Sequence, residues 1–170
     1  MKRIIRERIF IGCEGLGERA LVMALHRFIE SWQRQNGLSS TATVEPYIAR
    51  GGSPHLVVVK SIKERDRLAR QGRFASAFAL VDNDRLREDG QEASTRASAQ
   101  RKELILVVQD TNLECLLGRL LALDFALGPQ RAGQELVKLW PNYCKSFDAP
   151  TLQAKLTHPM VCVLAQSDDS

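Results

Sequence analysis

One stretch limits the possible folds of this chain more than any other: Ile9-Phe10-Ile11-Gly12-Cys13-Glu14-Gly15-Leu16-Gly17-Glu18. An apolar run rich in β-branched and aromatic residues reads as a buried strand, here over residues 3–12. It stops at an acid and two glycines. Residues 17–35 then carry Leu21, Val22, Leu25, Phe28, Ile29 and Trp32 at helical spacing, which defines one apolar face. In open α/β sheets, ligands bind outside the carboxyl ends of strands, at such strand-to-helix turns. Glu14 is therefore expected on the rim of a crevice.

The same alternation continues along the chain. Residues 43–49 read as a second strand, and Pro46 within it favours a sheet edge. Ser53-Pro54 opens a helix over 54–71 that Gly72 closes. Phe78-Ala79-Leu80-Val81 is a short buried strand ending at Asp82-Asn83-Asp84. Residues 85–102, polar and of mixed charge, read as a surface excursion outside the core. Leu104-Ile105-Leu106-Val107-Val108 is the clearest strand, followed by a helix that Asp110, Thr111 and Asn112 cap. Further helices are expected at 131–139 and 149–156, so residues 112–165 form a helical C-terminal part. Strands alternating with helices imply a mostly parallel sheet of about four strands covered on both faces, in one α/β domain.

Length agrees, because 170 residues enclose a real core without disulfides or metal staples. No apolar run approaches the roughly 20 residues that cross a bilayer, and the basic N-terminus has no signal-peptide core. The four cysteines contain no Cys-x-x-Cys pair, and Cys13 and Cys115 read as reduced core thiols. A cytoplasmic protein without membrane contact is the expectation. The net charge of +4 is compatible with an acidic partner.

Two strands deliver carboxylates to their carboxyl ends: Glu14 from the first, Asp82 and Asp84 from the third. In a strand-like continuation, residues two apart point to the same side, so Asp82 and Asp84 are expected to converge. Carboxylates packed together repel one another and are driven toward protonation unless a hard cation joins them. Mg²⁺ suits such a set, since it takes oxygen ligands, keeps waters and is completed by substrate phosphate. Bound there, it polarises a phosphodiester and activates water. Other acids and bases have two readings. Glu18 is a water-mediated ligand or a first-turn acid favoured by the helix dipole. Asp110 is a cap before it is a ligand, and Glu114 faces the site or solvent. Arg85 and Lys145 are candidate phosphate contacts or ordinary solvated cations. His26 reads as structural, and His55 and His158 have no zinc-ligand spacing. Trp32 and Trp140 read as core or interface.

The pairing of Cys13-Glu14-Gly15-Leu16-Gly17-Glu18 with Leu80-Val81-Asp82-Asn83-Asp84 resembles the Toprim domain of topoisomerases, primases and related nucleases. It is closest to the small RloB-like, stand-alone Toprim proteins of defence loci. In that branch an acid opens the helix after the fourth strand, to which Asn112-Leu113-Glu114-Cys115 is similar, and a later Tyr-x-Lys is similar to Tyr143-Cys144-Lys145. The resemblance spans roughly residues 5–157. It implies a Toprim-like, Rossmann-like fold, with Glu14 as general acid/base or metal ligand and Asp82 and Asp84 on Mg²⁺, for which Mn²⁺ can substitute. Arg85 stands where topoisomerase-type members carry a glycine, which weighs against a topoisomerase or primase role. The function expected is a Mg²⁺-dependent nuclease acting on DNA or RNA in anti-phage defence or nucleic-acid processing, beside an ATPase partner and as a possible homo-oligomer. The alternative is a non-catalytic, Toprim-shaped interaction or regulatory subunit.

Overall fold

The computed structural model describes residues 7–39, 42–88, 90–109, 112–121, 129–144, 147–158 and Val161. Four strands, β1 (Glu7–Cys13), β2 (Ala42–Ile48), β3 (Ser76–Asp82) and β4 (Ile105–Gln109), form one sheet in the order β2-β1-β3-β4. Every pairing is parallel, with Ile9 opposite both Val44 and Ser76, and Asp82 opposite Gln109. Helices α1 (Leu16–Gln35), α2 (Pro54–Leu68), α3 (Asn83–Glu88) and α4 (Glu92–Arg101) make the crossovers. α5 (Leu113–Leu120), α6 (Pro129–Leu139) and α7 (Ala149–Gln153) follow the last strand. This is an α/β domain with an all-parallel central sheet flanked by helices, a Rossmann-like arrangement. Among the described residues, no helix is long and apolar enough to cross a membrane.

Strand order decides where a ligand can sit. The chain leaves β1 toward one edge to make β2, then crosses back past β1 to make β3 and β4. The direction of winding therefore reverses between β1 and β3. At such a switch point, the connections after the two neighbouring strands diverge to opposite faces and leave a crevice beyond their carboxyl ends.

Two apolar clusters hold the layers together. Phe10, Ala77, Ala79 and Val81 from the sheet pack with Val57 and Val58 of α2, together with Leu86, Ala99 and Leu104. On the other side, Ala20, Leu21 and Ala24 of α1 join Leu113, Leu117 and Leu120 of α5, Leu136 of α6, Trp140 and Leu152 of α7. Each fully buried aliphatic side chain among these contributes about 1.5–3 kcal/mol relative to exposure.

Local chemistry explains most element ends. Ser53 Oγ accepts from Leu56 N at the start of α2, with Pro54 in the first turn. Asn112 Oδ1 accepts from Cys115 N (3.0 Å) and caps α5. Replacing Asn112 with alanine removes that acceptor and should lower stability by about 1 kcal/mol in urea unfolding. An unchanged midpoint would show that the cap is carried elsewhere. Pro46 sits on β2, at the edge of the sheet, where its missing N–H costs no ladder bond.

The segment 85–102 departs from its reading as a surface excursion. It folds into most of α3 and α4 and is part of the core: Leu86 is fully buried, and Thr95 and Ala99 lie inside. That reading leaves room for part of the segment to be helical; its apolar residues are too few and too widely spaced to show a stripe, so what the polar composition hid is the burial of Leu86, Thr95 and Ala99. Cys13 and Cys115 are buried free thiols. Burial, and then the Glu18 carboxylate, push the Cys13 thiol from 9.0 up to about 12. The un-ionised form is thus the one the folded protein favours. Its stabilisation is present below the unfolded pKa near 9 and is lost as pH rises from there toward about 12. At pH 8, Ellman's reagent should label the exposed Cys144 at once and reach Cys13 only after unfolding. Rapid labelling of Cys13 in the native protein would contradict this packing.

Candidate functional site

The crevice at the switch point is a cleft of about 820 Å³. It collects residues from four places in the chain: Glu14, Gly15, Leu16, Gly17 and Glu18 from the β1–α1 junction, and Ile48, Arg50 and Gly51 at the end of β2 and just after it. Asp82, Asp84 and Arg85 come from the β3–α3 junction, and Asn112, Leu113 and Glu114 from the start of α5. Five of the acids singled out in the sequence therefore face one space. Asp110 and Lys145 lie outside the described residues.

Each side chain reaches the cleft for a local reason. Alternation along β3 sends Ala77, Ala79 and Val81 to the α2 side and Asp82 to the opposite face, toward α1. Asp84 does not follow as a strand continuation. Asn83 begins α3, so Asp84 stands on the first turn of a helix and reaches the same cleft by a helical route. Its Oδ1 accepts from the Arg85 amide at 2.7 Å. The N-termini of α1 and α5 both open onto the cleft, through Gly15, Leu16 and Gly17 and through Asn112 and Leu113. The positive ends of these helix dipoles favour anions such as phosphate.

The acids divide by role. Glu18 Oε2 accepts from the Gly15 amide at 3.0 Å, reaching back from the first turn of α1 to the N-cap, so the first-turn reading describes it. Glu114 is 7% exposed and lines the cleft, so it faces the site and not solvent. Tyr143 packs nearby, its phenol pushed up by burial and then by the Glu114 and Glu18 carboxylates, which keeps it protonated at neutral pH. Glu14 has one oxygen, Oε1, bonded to the Arg85 guanidinium, while Oε2 is buried and accepts no hydrogen bond.

Arg85 forms an ion pair with Glu14 on the rim of the cleft. Among the described residues, no three His, Cys, Asp or Glu are placed to share one metal ion. The Arg85 side chain is 45% exposed, and an ion pair screened to that degree is worth about 1 kcal/mol or less. The remaining histidines have structural surroundings: His26 Nε2 lies 3.8 Å from Glu30, and His55 Nδ1 is 3.3 Å from Thr95 Oγ1. Trp140 is buried, whereas Trp32 is 37% exposed and stacks on His158.

Sequence reasoning missed Arg50. It takes a left-handed backbone (φ 58°) after β2, followed by Gly51 and Gly52, also at positive φ. Two adjacent glycines mark a turn in any sequence, but nothing local shows that this turn lies against the end of β1, where the Gly51 amide donates to Glu14 O. No family model, curated protein or solved structure matches this chain.

Proposed function

We propose that this chain is a Mg²⁺-dependent phosphodiesterase acting on nucleic acid, with Asp82, Asp84 and Glu14 as its working carboxylates. The observation that carries this reading is the switch point between β1 and β3, which draws carboxylates from two strand ends and three helix N-termini around one cleft. The donor set fits the ion. Mg²⁺ is bound by one or two carboxylates plus water and substrate phosphate, and does not need an all-protein cage. Asp82 and Asp84 supply two such groups, and the buried Oε2 of Glu14 is an acceptor with no hydrogen bond. When bound, the ion supplies charge neutralisation for the phosphoryl group and an acidified water. The helix N-termini orient the phosphate, and Glu14 exchanges a proton with the attacking water. Arg85 is freed to pair with the phosphate as Glu14 takes up that role. The new bond joins water oxygen to phosphorus as the ester P–O bond breaks, and the proton that Glu14 takes from the attacking water passes through solvent to the leaving oxygen. The resemblance to stand-alone Toprim proteins supports the same reading, and it alone suggests a defence setting, an ATPase partner and self-association.

A second reading has one observation in its favour. The Arg85–Glu14 pair already neutralises part of the acidic cleft, as in a non-catalytic interaction subunit. Incubation of end-labelled DNA and RNA with the protein in Mg²⁺, Mn²⁺ or EDTA, alongside thermal melts under the same conditions, separates the two. A phosphodiesterase gains melting temperature from the metal by mass action and cuts one of the polymers only when metal is present. A protein whose melting curve is indifferent to both ions is the interaction subunit.

A further inference from the structure

A second concave surface adjoins the cleft and has the opposite charge. It is a groove of about 1220 Å³ between the end of β2 and the outer face of α2, lined by Arg19, Arg50, Lys60, Lys63, Arg67 and Arg70. Its two acids, Glu64 and Asp66, are already paired with Arg67 and Arg65. Among the described residues, Arg19, Arg50, Lys63 and Arg70 are exposed and have no carboxylate partner. The groove thus concentrates positive charge that the whole-chain value of +4 conceals.

Ile48 and Arg50 line both the groove and the acidic cleft, so the two spaces share a wall. That wall is held firmly. The Ala49 amide donates to Cys13 O (2.8 Å) and the Gly51 amide to Glu14 O (2.9 Å), which ties the loop to the end of β1 on both sides of Arg50. Lys60 Nζ donates from α2 to Ala49 O (2.8 Å) and Gly51 O (3.2 Å). Arg50 itself occupies a left-handed conformation that a non-glycine residue adopts only when its surroundings hold it there. Four bonds therefore fix a strained, exposed arginine on the ridge between a basic groove and an acidic one.

We infer that the groove is the track for a single nucleic-acid strand, with Lys63, Arg70 and Arg19 contacting successive phosphates and Arg50 directing the backbone over the ridge into the cleft. A row of cations whose two interleaved acids, Glu64 and Asp66, are already paired within α2 matches a phosphodiester chain, which carries one charge per nucleotide and binds by counterion release. The inference rests on the phosphodiesterase reading for what happens in the cleft, but the groove binds without metal.

Fluorescence anisotropy with labelled single-stranded DNA and RNA oligonucleotides, in EDTA and across a salt series, tests it. The wild-type chain should bind, with affinity falling as salt rises. The pair Lys63→Glu with Arg70→Glu should weaken binding at least about tenfold and flatten the slope of log K against log salt by about 1.4, the value for two lost single-strand contacts. The pair Arg101→Glu with Lys102→Glu makes the same charge change at the exposed end of α4 and should shift affinity far less. Circular dichroism confirms that both pairs fold. Absence of binding by the wild-type chain, or equal weakening by both pairs, overturns the inference. So does polyglutamate of matched charge binding as tightly with the same dependence on Lys63 and Arg70, which would make the partner an acidic protein. Because the readout is taken in EDTA, its failure is distinct from failure of the metal-dependent cleavage assay.

Discussion

Asp82→Asn should reduce metal-dependent phosphodiester cleavage by about 10²–10³-fold, equivalent to a barrier raised by about 3–4 kcal/mol. The side chain ends β3 on the face toward α1 and opens onto the cleft. Asparagine keeps its size and shape while removing the charge that attracts a hard cation. The fold should survive, because the core residues Ala77, Ala79 and Val81 lie on the opposite face of the strand. Two measurements check this together: cleavage rate, and the melting-temperature gain on adding Mg²⁺ or Mn²⁺. The rate should fall by that factor and the metal-induced gain should disappear, while the melting temperature without metal stays close to that of the wild-type chain. Full activity in the variant would remove Asp82 from the chemistry. A metal response retained without activity would move the ion to the other acids of the cleft.

The second large effect is on stability. A Cβ added at Gly12 would lie 2.0 Å from Ser61 Oγ and 2.7 Å from Ser61 Cβ, both on α2. Neither is the free end of a flexible chain, and Ser61 is fully buried. Relief requires α2 to move away from β1, which loosens Val57 and Val58 against Phe10 in the same layer. Overpacking of this kind costs about 1–3 kcal/mol, and the closeness here places Gly12→Ala at or above about 3. For a chain of this length that is a fall in melting temperature of roughly 6–12 °C. The partner supplies an internal control. Ser61 Oγ is buried and makes no hydrogen bond, so Ser61→Ala should be neutral or mildly stabilising. Ser61→Gly added to Gly12→Ala removes both clashing atoms. The double variant should be more stable than Gly12→Ala despite the roughly 1 kcal/mol penalty of glycine in a helix. Additive losses in the two variants would show that the close approach of α2 is not the cause.

Much of this architecture is legible in one dimension because it depends on periodicity. The apolar run before Glu14, the helical stripe from Leu21 to Trp32, the Ser53-Pro54 cap and the edge-seeking Pro46 report local backbone preference and burial, and the elements they mark are present. The acids at the ends of β1 and β3 were legible for the same reason, since a polar break in an apolar run marks a strand end. The residues of α3 and α4 were not. Leu86, Thr95 and Ala99 become core only when α2 and the sheet are there to cover them, and no local pattern announces that.

Other features follow from strand order, which pairwise contacts between distant segments decide and residue spacing does not encode. The order β2-β1-β3-β4 makes Glu14 and Asp82 neighbours and sets Arg85 against Glu14. The same order lays the Arg50 turn against the end of β1, between an acidic cleft and a basic groove. The sequence therefore specifies which chemical groups stand at the strand ends. Assembly of the sheet specifies which of them meet, because a parallel register brings together residues that local interactions never compare.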